Sequence, residues 1–480
     1  MSSSSHPATP RPIPPTAIAA EIQPLRVEFG GTVRLPGSKS LTNRALLIAG
    51  LASGRTRLEN VLACDDSLYM IDALRALGVE VIEEVPLSEP SPVLVLKRGD
   101  RGGPFSVKQG EFFFGNAGTT TRFLTAALAA SGGTYRVDGD ERMRKRPIAD
   151  LVRALVELGA DVRAPTGCPP VEIRPGSWNG GSVDMPGRIS SQFISAVLMA
   201  APLASGPVRV RVRGDLVSRP YIDLTVDLMR RFGAAIRVYD KTADGLPVFE
   251  IDPRRRYRSQ LHFVEGDASA ASYFFAAAAI TGSTVRVEGV GRETAQGDLG
   301  AADVLAEMGC RVTKERDAVQ VVGGILRGVD CDCADMPDVV PTLAVAAAFA
   351  RGRTRIRGVP HLRHKESDRI ASVASELRKL GVRVRELDDG LEVEGTLGRE
   401  ETLQGATVET WNDHRIAMAF SVAGLVVPGV VIRDPHVVTK SFPSFFQAIA
   451  GLGANVDFVL ADGGRVAAEP PPPSSEERAR

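Results

Sequence analysis

No stretch of this 480-residue chain runs to about 18 apolar residues free of charge, so no membrane-spanning helix is expected. Lysine plus arginine and aspartate plus glutamate stand at 58 each. That balance offers no global basic field, so neither nucleic acid nor an anionic membrane surface is an expected partner. Any basic residue that matters must act locally. Only five cysteines occur, Cys64, Cys168, Cys310, Cys331 and Cys333. So few, so scattered, they suit a reducing compartment rather than a disulfide framework. Cys331-Asp332-Cys333 lacks the spacing of a metal or redox CxxC and reads as non-functional. The six histidines are dispersed, and His361-x-x-His364 is not HExxH, so no metal is expected. There is also no Walker loop, no GxGxxG after a strand and no Gly-x-Ser-x-Gly elbow. What remains is acid–base and electrostatic chemistry.

Glycine and alanine are plentiful, and they are ordered. A block running glycine, β-branched strand, polar loop, amphipathic helix, Leu/Met-Gly and strand occurs at 54–81, 282–312 and 352–384. Three further copies fit at 132–162, 206–236 and 429–456. The helix-ending glycines Gly78, Gly159, Gly233, Gly309, Gly381 and Gly453 recur every 72 to 81 residues, the mark of an internal repeat. An Ala-rich segment precedes each block: 45–52, 123–130, 193–204, 272–280, 342–350 and 416–426. Apolar almost all round, these predict buried helices. The fold class expected is α/β. Six units would form two domains of three, with buried helices inside and sheets outside. The basic stretch Arg254–Gln260 falls between units three and four. Residues 1–22, rich in serine and proline, and 463–480, with four consecutive prolines, read as disordered tails. The N-terminal stretch lacks the apolar region of a secretory signal.

Polar chemistry gathers where the buried helices begin: Gly37-Ser38-Lys39-Ser40, Gly115-Asn116-Ala117-Gly118-Thr119, Ser190-Ser191-Gln192, Gly266-Asp267, Met336-Pro337-Asp338 and Asn412-Asp413-His414-Arg415. Helix starts carry free N–H groups and a positive dipole end, which suit an anion. Each alone fits ordinary N-capping. Recurrence at equivalent repeat positions argues for one cleft that takes a highly anionic small molecule. A second set of polar loops holds Arg142, Arg144, Lys145 and Arg146, then Ser218 and Tyr221, Lys365, Glu366 and Arg369, and Lys440. Four crowded cations at 142–146 cost stability unless an anion relieves them. Asp338, Glu366 and Lys39 are the candidate proton carriers.

Several of these motifs, in order, resemble the 5-enolpyruvylshikimate 3-phosphate synthase family of enolpyruvyl transferases. They are LPGSKSLTNR at 35–44, GNAGTTTR at 115–122, RPI at 146–148, SSQF at 190–193 and GDLVSRPYID at 214–223. VEGDAS at 264–269, PD at 337–338, KESDR at 365–369, NDHR at 412–415 and TKSFP at 439–443 follow. The likeness runs from about Ile22 to about Gly453.

The resemblance implies a two-domain inside-out α/β barrel, each domain three βαβαββ-type repeats. Residues 35–255 would form the first domain, and 23–34 plus 256–462 the second. It implies transfer of the enolpyruvyl group of phosphoenolpyruvate to the 5-hydroxyl of shikimate 3-phosphate, on the way to chorismate and aromatic amino acids. A cytoplasmic monomer without cofactor is expected. Shikimate 3-phosphate would meet Lys39, Ser40, Arg44, Ser190, Ser191, Gln192, Ser218, Tyr221, Asp338, His361 and Lys365. Phosphoenolpyruvate would meet Lys39, Asn116, Gly118, Arg146, Gln192, Arg369, His414, Arg415 and Lys440, with Arg122 and Asp413 in support. Asp338 would take the hydroxyl proton, and Lys39, with Glu366 as competitor, would protonate the methylene carbon. His361 replaces a frequent Asn, Phe123 a frequent Pro, and Ser367 and Arg219 replace Thr and Lys. Gly118 and Thr119 are retained, so glyphosate sensitivity is expected. The related UDP-N-acetylglucosamine enolpyruvyl transferases carry a reactive Cys in a loop equivalent to Arg142–Arg146, where this chain has none.

Overall fold

The computed structural model describes residues 13–471 except 28, 90, 100–103, 243, 400 and 401. Its strands form six small sheets, five of four strands and one of five. The third shows the common plan. Gly181–Pro186 runs parallel to Val208–Arg213, which pairs antiparallel with Val248–Asp252, which pairs antiparallel with Ala235–Tyr239. Val-Arg alternation over 208–213 buries each valine and leaves the arginines outward, the period-2 pattern of a strand with one buried face. Between the two parallel strands the chain makes a core helix, Ser191–Ala200. After the second it makes the amphipathic helix Arg219–Arg231. The latter ends at Gly233, with φ 88°. All six helix-ending glycines named from the sequence have positive φ, the left-handed conformation only glycine adopts freely.

The other core helices are Lys39–Leu51, Gly118–Ala129, Ala268–Thr281, Val340–Ala348 and His414–Gly424. Almost every side chain on them is buried, as their alanine content and lack of a polar face require. The apolar core falls into two large clusters, one drawn from residues 45–257 and one from 13–35 and 268–468.

The two halves exchange strands. Gly30–Arg34, just before the first core helix, pairs with Thr284–Glu288 of the second half. Leu261–Phe263, just before the fourth, pairs with Arg57–Glu59 of the first. The two crossing segments touch at Gly37 and Gly266. A Cβ on Gly37 would lie 2.0 Å from the Asn60 carbonyl oxygen, so the approach requires glycine. Residues 257–263, expected with the second domain, thus belong with the first: Tyr257 sits in its core, and 261–263 complete its sheet.

The terminal readings also change. Ala17–Gln23, all but its last residue inside the span 1–22 read as disordered, is the middle strand of the five-stranded sheet, between Val430–Arg433 and Asn455–Leu460. It buries Ala17, Ala20 and Ile22 against partners more than 400 positions away, a pairing no local pattern announces. Arg465–Ala467 likewise adds an edge strand where a tail was expected. Residues 1–12 and 472–480, the rest of those two expectations, lie outside the described residues.

Candidate active site

Side chains at the core-helix starts meet one another across the two halves. The Lys39 N–H donates to the Asp267 carboxylate at 2.9 Å, while Asp267 also caps its own helix at Ala270 N. The first helix start is therefore capped across the chain crossing rather than by Ser38, whose Oγ has no partner among the described residues. On the second half, Asp338 accepts from Arg415 Nη2 at 2.6 Å and Arg369 Nη1 at 2.9 Å, with Lys365 Nζ at 3.9 Å. Arg369 also reaches Asp413 at 2.8 Å and Glu366 at 2.8 Å, so one buried guanidinium ties three carboxylates. Ser367 Oγ donates to Asp413 at 3.0 Å, and Asp413 caps the sixth helix at Arg415 N.

On the first half, Arg146 donates to Asn116 Oδ1 at 2.9 Å and lies 4.0 Å from Glu366 of the second. Lys440 Nζ crosses to the Asn116 carbonyl at 2.6 Å and stands 3.6 Å from Asp66. Gln192 Nε2 donates to Thr119 Oγ1 at 3.3 Å, and Ser190 caps the helix carrying Ser191 at Gln192 N. Gly118 packs beneath Arg122 and Arg146, whose guanidinium nitrogens lie within 2.6 Å of where its Cβ would be. Ser218, left-handed at φ 55°, donates its N–H to the Ala334 carbonyl, and its Oγ lies 3.4 Å from His361 Nε2. Tyr221 donates its hydroxyl to Asp298 at 2.6 Å, with Asp338 Oδ2 at 3.4 Å.

A protein-family model described as EPSP synthase (3-phosphoshikimate 1-carboxyvinyltransferase) matches residues 25–449. The chain belongs to the EPSP synthase family. Among named relatives, the 3-phosphoshikimate 1-carboxyvinyltransferase of Thiobacillus denitrificans is 46% identical over 441 residues, covering 89% of this chain and 98% of that one. The chloroplastic enzyme of that name from Arabidopsis thaliana is 44% identical, covering 89% of this chain and 83% of its own length. In fold, the chain superposes on EPSP synthase from Acinetobacter baumannii with a TM-score of 0.75 and 28% identity, over 92% of this chain and 99% of that one. The enolpyruvyl transferase NikO from Streptomyces tendae, at 20% identity and a TM-score of 0.72 over 94% of this chain and 100% of its own, shares the fold. Membership makes this chain a transferase of the shikimate pathway.

For an EPSP synthase, the charge state of the site follows from burial set against neighbours. Burial would raise the Asp338 pKa, but Arg415, Lys365 and Arg369 outweigh it and hold the carboxyl well below its usual range. Glu366 is likewise held ionised against burial, by Arg369, Arg146 and Lys440. Asp298 has no such cluster: burial, then the charge of Asp338, pushes it up to about 6. Burial, reinforced by Lys39 and Arg415, drives His414 well below its normal value, and burial plus Lys365 takes His361 down to about 3, so both rings are neutral. Neither ring nitrogen of His414 has a hydrogen-bond partner among the described residues. The same holds for Asn116 Nδ2, Arg146 Nε and Arg415 Nε. Buried polar groups are normally satisfied, so this concentration of open donors marks a place built to receive acceptors.

Two expectations gain detail. Arg44 donates to Thr225 Oγ1, the Ser40 carbonyl and the Tyr221 carbonyl, with Phe123 against it at 5.1 Å, so the protein itself holds it beside Ser40 and Tyr221. Of the crowded cations at 142–146, Arg144 is answered by Asp138 at 2.8 Å, and Arg142 donates to the Lys365 and Glu366 carbonyls. Protein acceptors, rather than an incoming anion, relieve those two. Sequence reasoning missed Asp298, Asp66 and Tyr273, whose hydroxyl accepts from Arg415 Nη1 at 3.4 Å. Asp298 lies in the short turn Gly297–Leu299 at the entry to the helix Gly300–Met308, and nothing in the spacing says that this entry faces Tyr221.

Proposed function

We propose that the EPSP synthase reaction of this chain runs in the cleft between its two halves, each a set of three βαβαββ-type units around three core helices. Shikimate 3-phosphate lies along Lys39, Ser40, Arg44, Ser190, Ser191, Gln192, Ser218, Tyr221, His361, Lys365 and Asp338. Phosphoenolpyruvate lies against Lys39, Asn116, Gly118, Arg146, Gln192, Arg369, His414, Arg415 and Lys440. The observation that carries this reading is the set of unsatisfied buried donors on Asn116, Arg146 and Arg415, beside cations from both halves. Two phosphates and two carboxylates are a heavy negative load, which Arg forks and Lys point charges answer.

Asp338 is the base in this reading. Its neighbours hold it ionised, which makes it a weak base before substrate enters. Arg415, Arg369 and Lys365 are also the groups that share their charge with incoming anions, so substrate binding raises the basicity of Asp338 where the 5-hydroxyl arrives. Glu366 is held ionised by three cations, so in this reading Lys39 delivers the proton to the methylene carbon as the 5-oxygen bonds to the adjacent carbon. The methyl group so formed then gives a proton back to Lys39, restoring the double bond as the carbon–oxygen bond to phosphate breaks, and phosphate leaves among Lys39, Arg146 and Lys440 with the hydroxyl proton that Asp338 took. The chain works as a cytoplasmic monomer in this reading. Purified protein should release phosphate from phosphoenolpyruvate only when shikimate 3-phosphate is present. Release without it, or none with it, overturns the reading.

A further inference from the structure

The buried carboxylate of Glu376 plays no part in the chemistry above, yet it grips the segment that delivers three site residues. Glu376 lies on the helix Arg369–Lys379, two turns beyond Arg369, and is fully buried. Oε1 accepts from Trp411 Nε1 at 2.9 Å, and Oε2 accepts from Glu409 N at 3.1 Å and Lys379 Nζ at 2.7 Å. The first two donors belong to the turn that enters Asp413, His414 and Arg415. In that turn Trp411 and Asn412 have φ of 56° and 54°. Two successive non-glycine residues in the left-handed region persist only where their surroundings over-determine them. The Trp411 ring is half exposed, so core packing does not hold it, and the bond to Glu376 does. The same helix anchors the far end of the turn, through Arg369 to Asp413 at 2.8 Å.

We propose that Glu376 is a positioning residue for the phosphoenolpyruvate end of the site: its two oxygens fix the 409–412 turn and so the direction in which Asp413, His414 and Arg415 enter the cleft. The inference rests on the proposed placing of His414 and Arg415 against phosphoenolpyruvate. A carboxylate is required because donors approach both oxygens. Glutamine offers one acceptor and turns its NH2 towards a donor.

Full-length Glu376→Gln and Trp411→Phe test this in steady-state kinetics. The expected result is a KM for phosphoenolpyruvate raised roughly 5- to 20-fold in Glu376→Gln, the range for a lost buried hydrogen bond, with the KM for shikimate 3-phosphate within about twofold of wild type. Trp411→Phe removes one exposed donor without threatening the core, and a smaller rise of the same kind is expected. A second readout uses the fact that the chain has two tryptophans. In a Trp178→Phe background Trp411 is the sole reporter, and its emission should change saturably with inorganic phosphate in the presence of shikimate 3-phosphate. Adding Glu376→Gln should move that midpoint to higher phosphate by the same factor as the KM. An unchanged KM for phosphoenolpyruvate in both variants, or equal rises in both KM values with a lowered Tm, overturns the proposal. Wild-type protein that releases no phosphate would instead overturn the reading beneath it.

Discussion

Replacing Asp338 by Asn is the sharpest single perturbation of this site. The shape is kept, one charge is lost, and one oxygen facing an arginine becomes NH2. Three cations lean on this carboxylate: Arg415 at 2.6 Å, Arg369 at 2.9 Å and Lys365 at 3.9 Å. Breaking a buried ion pair costs about 3–5 kcal/mol. Here the low end applies, because Arg369 keeps Asp413 and Glu366, and Arg415 keeps the Tyr273 hydroxyl. A loss of about 3 kcal/mol lowers Tm by roughly 6–12 °C in a protein built of lobes this size. Losing a general base lowers kcat by about 10²- to 10⁴-fold, or about 3–5 kcal/mol of barrier. Binding should move the other way. With Asp338 neutral, Arg415 and Lys365 are freer to meet an anion, so shikimate 3-phosphate should bind as tightly as to wild type or more tightly. Phosphate release gives kcat, titration calorimetry gives affinity, and a thermal melt shows that the chain is folded. A folded Asp338→Asn with kcat within threefold of wild type would refute the assigned role, and weaker binding would refute the electrostatic argument.

Lys39→Met should leave the melt within a few degrees of wild type, since its backbone N–H still reaches Asp267, while phosphate release falls by at least about 10²-fold. Normal turnover would remove Lys39 from the chemistry. Asp298 is raised from 3.8 to about 6 by burial and then Asp338, so the unfolded chain gives up this proton first. The stability this group contributes is complete below about pH 4 and is lost as pH rises through about 6. Asp298→Asn should therefore be more stable than wild type above pH 6, by up to about 3 kcal/mol, and match it near pH 4 in urea melts. A constant difference across pH would show that Asp298 titrates normally. Glyphosate should inhibit in competition with phosphoenolpyruvate, as the retained Gly118 and Thr119 suggest, and full activity at saturating inhibitor would contradict that.

Much of this architecture was legible because it repeats. Six glycines after amphipathic helices and six Ala-rich segments marked the units, and each glycine takes the left-handed backbone its position demands. The strand exchange was legible only in part: the resemblance placed 23–34 with the second half, but nothing placed Leu261–Phe263 with the first. Gly30–Arg34 and Leu261–Phe263 each sit directly before a core helix of one half and pair in the other, a choice set by pairing partners about 250 and 200 positions away. Ala17–Gln23 was hidden by its proline-rich neighbours, since the strands it pairs with are at the other end of the chain. The site residues were named by motif, but motif does not say which way a side chain faces. Arg44 turned out to brace Ser40 and Tyr221, and Arg142 to bind backbone carbonyls of the opposite half. Asp298 and Glu376 had no motif of their own, because their roles depend on Tyr221 and Trp411, which only the fold brings near.

The central claim is that one cleft between the halves receives both substrates at the helix starts. A crystal structure of the chain with shikimate 3-phosphate bound measures it directly. The phosphate should lie within hydrogen-bond distance of Ser190, Ser191, Ser218 and Lys365, with the 5-hydroxyl facing Asp338. Density for the ligand elsewhere, for instance in the cavity lined by Arg98, Arg256 and Tyr257, with the cleft unchanged, would contradict it.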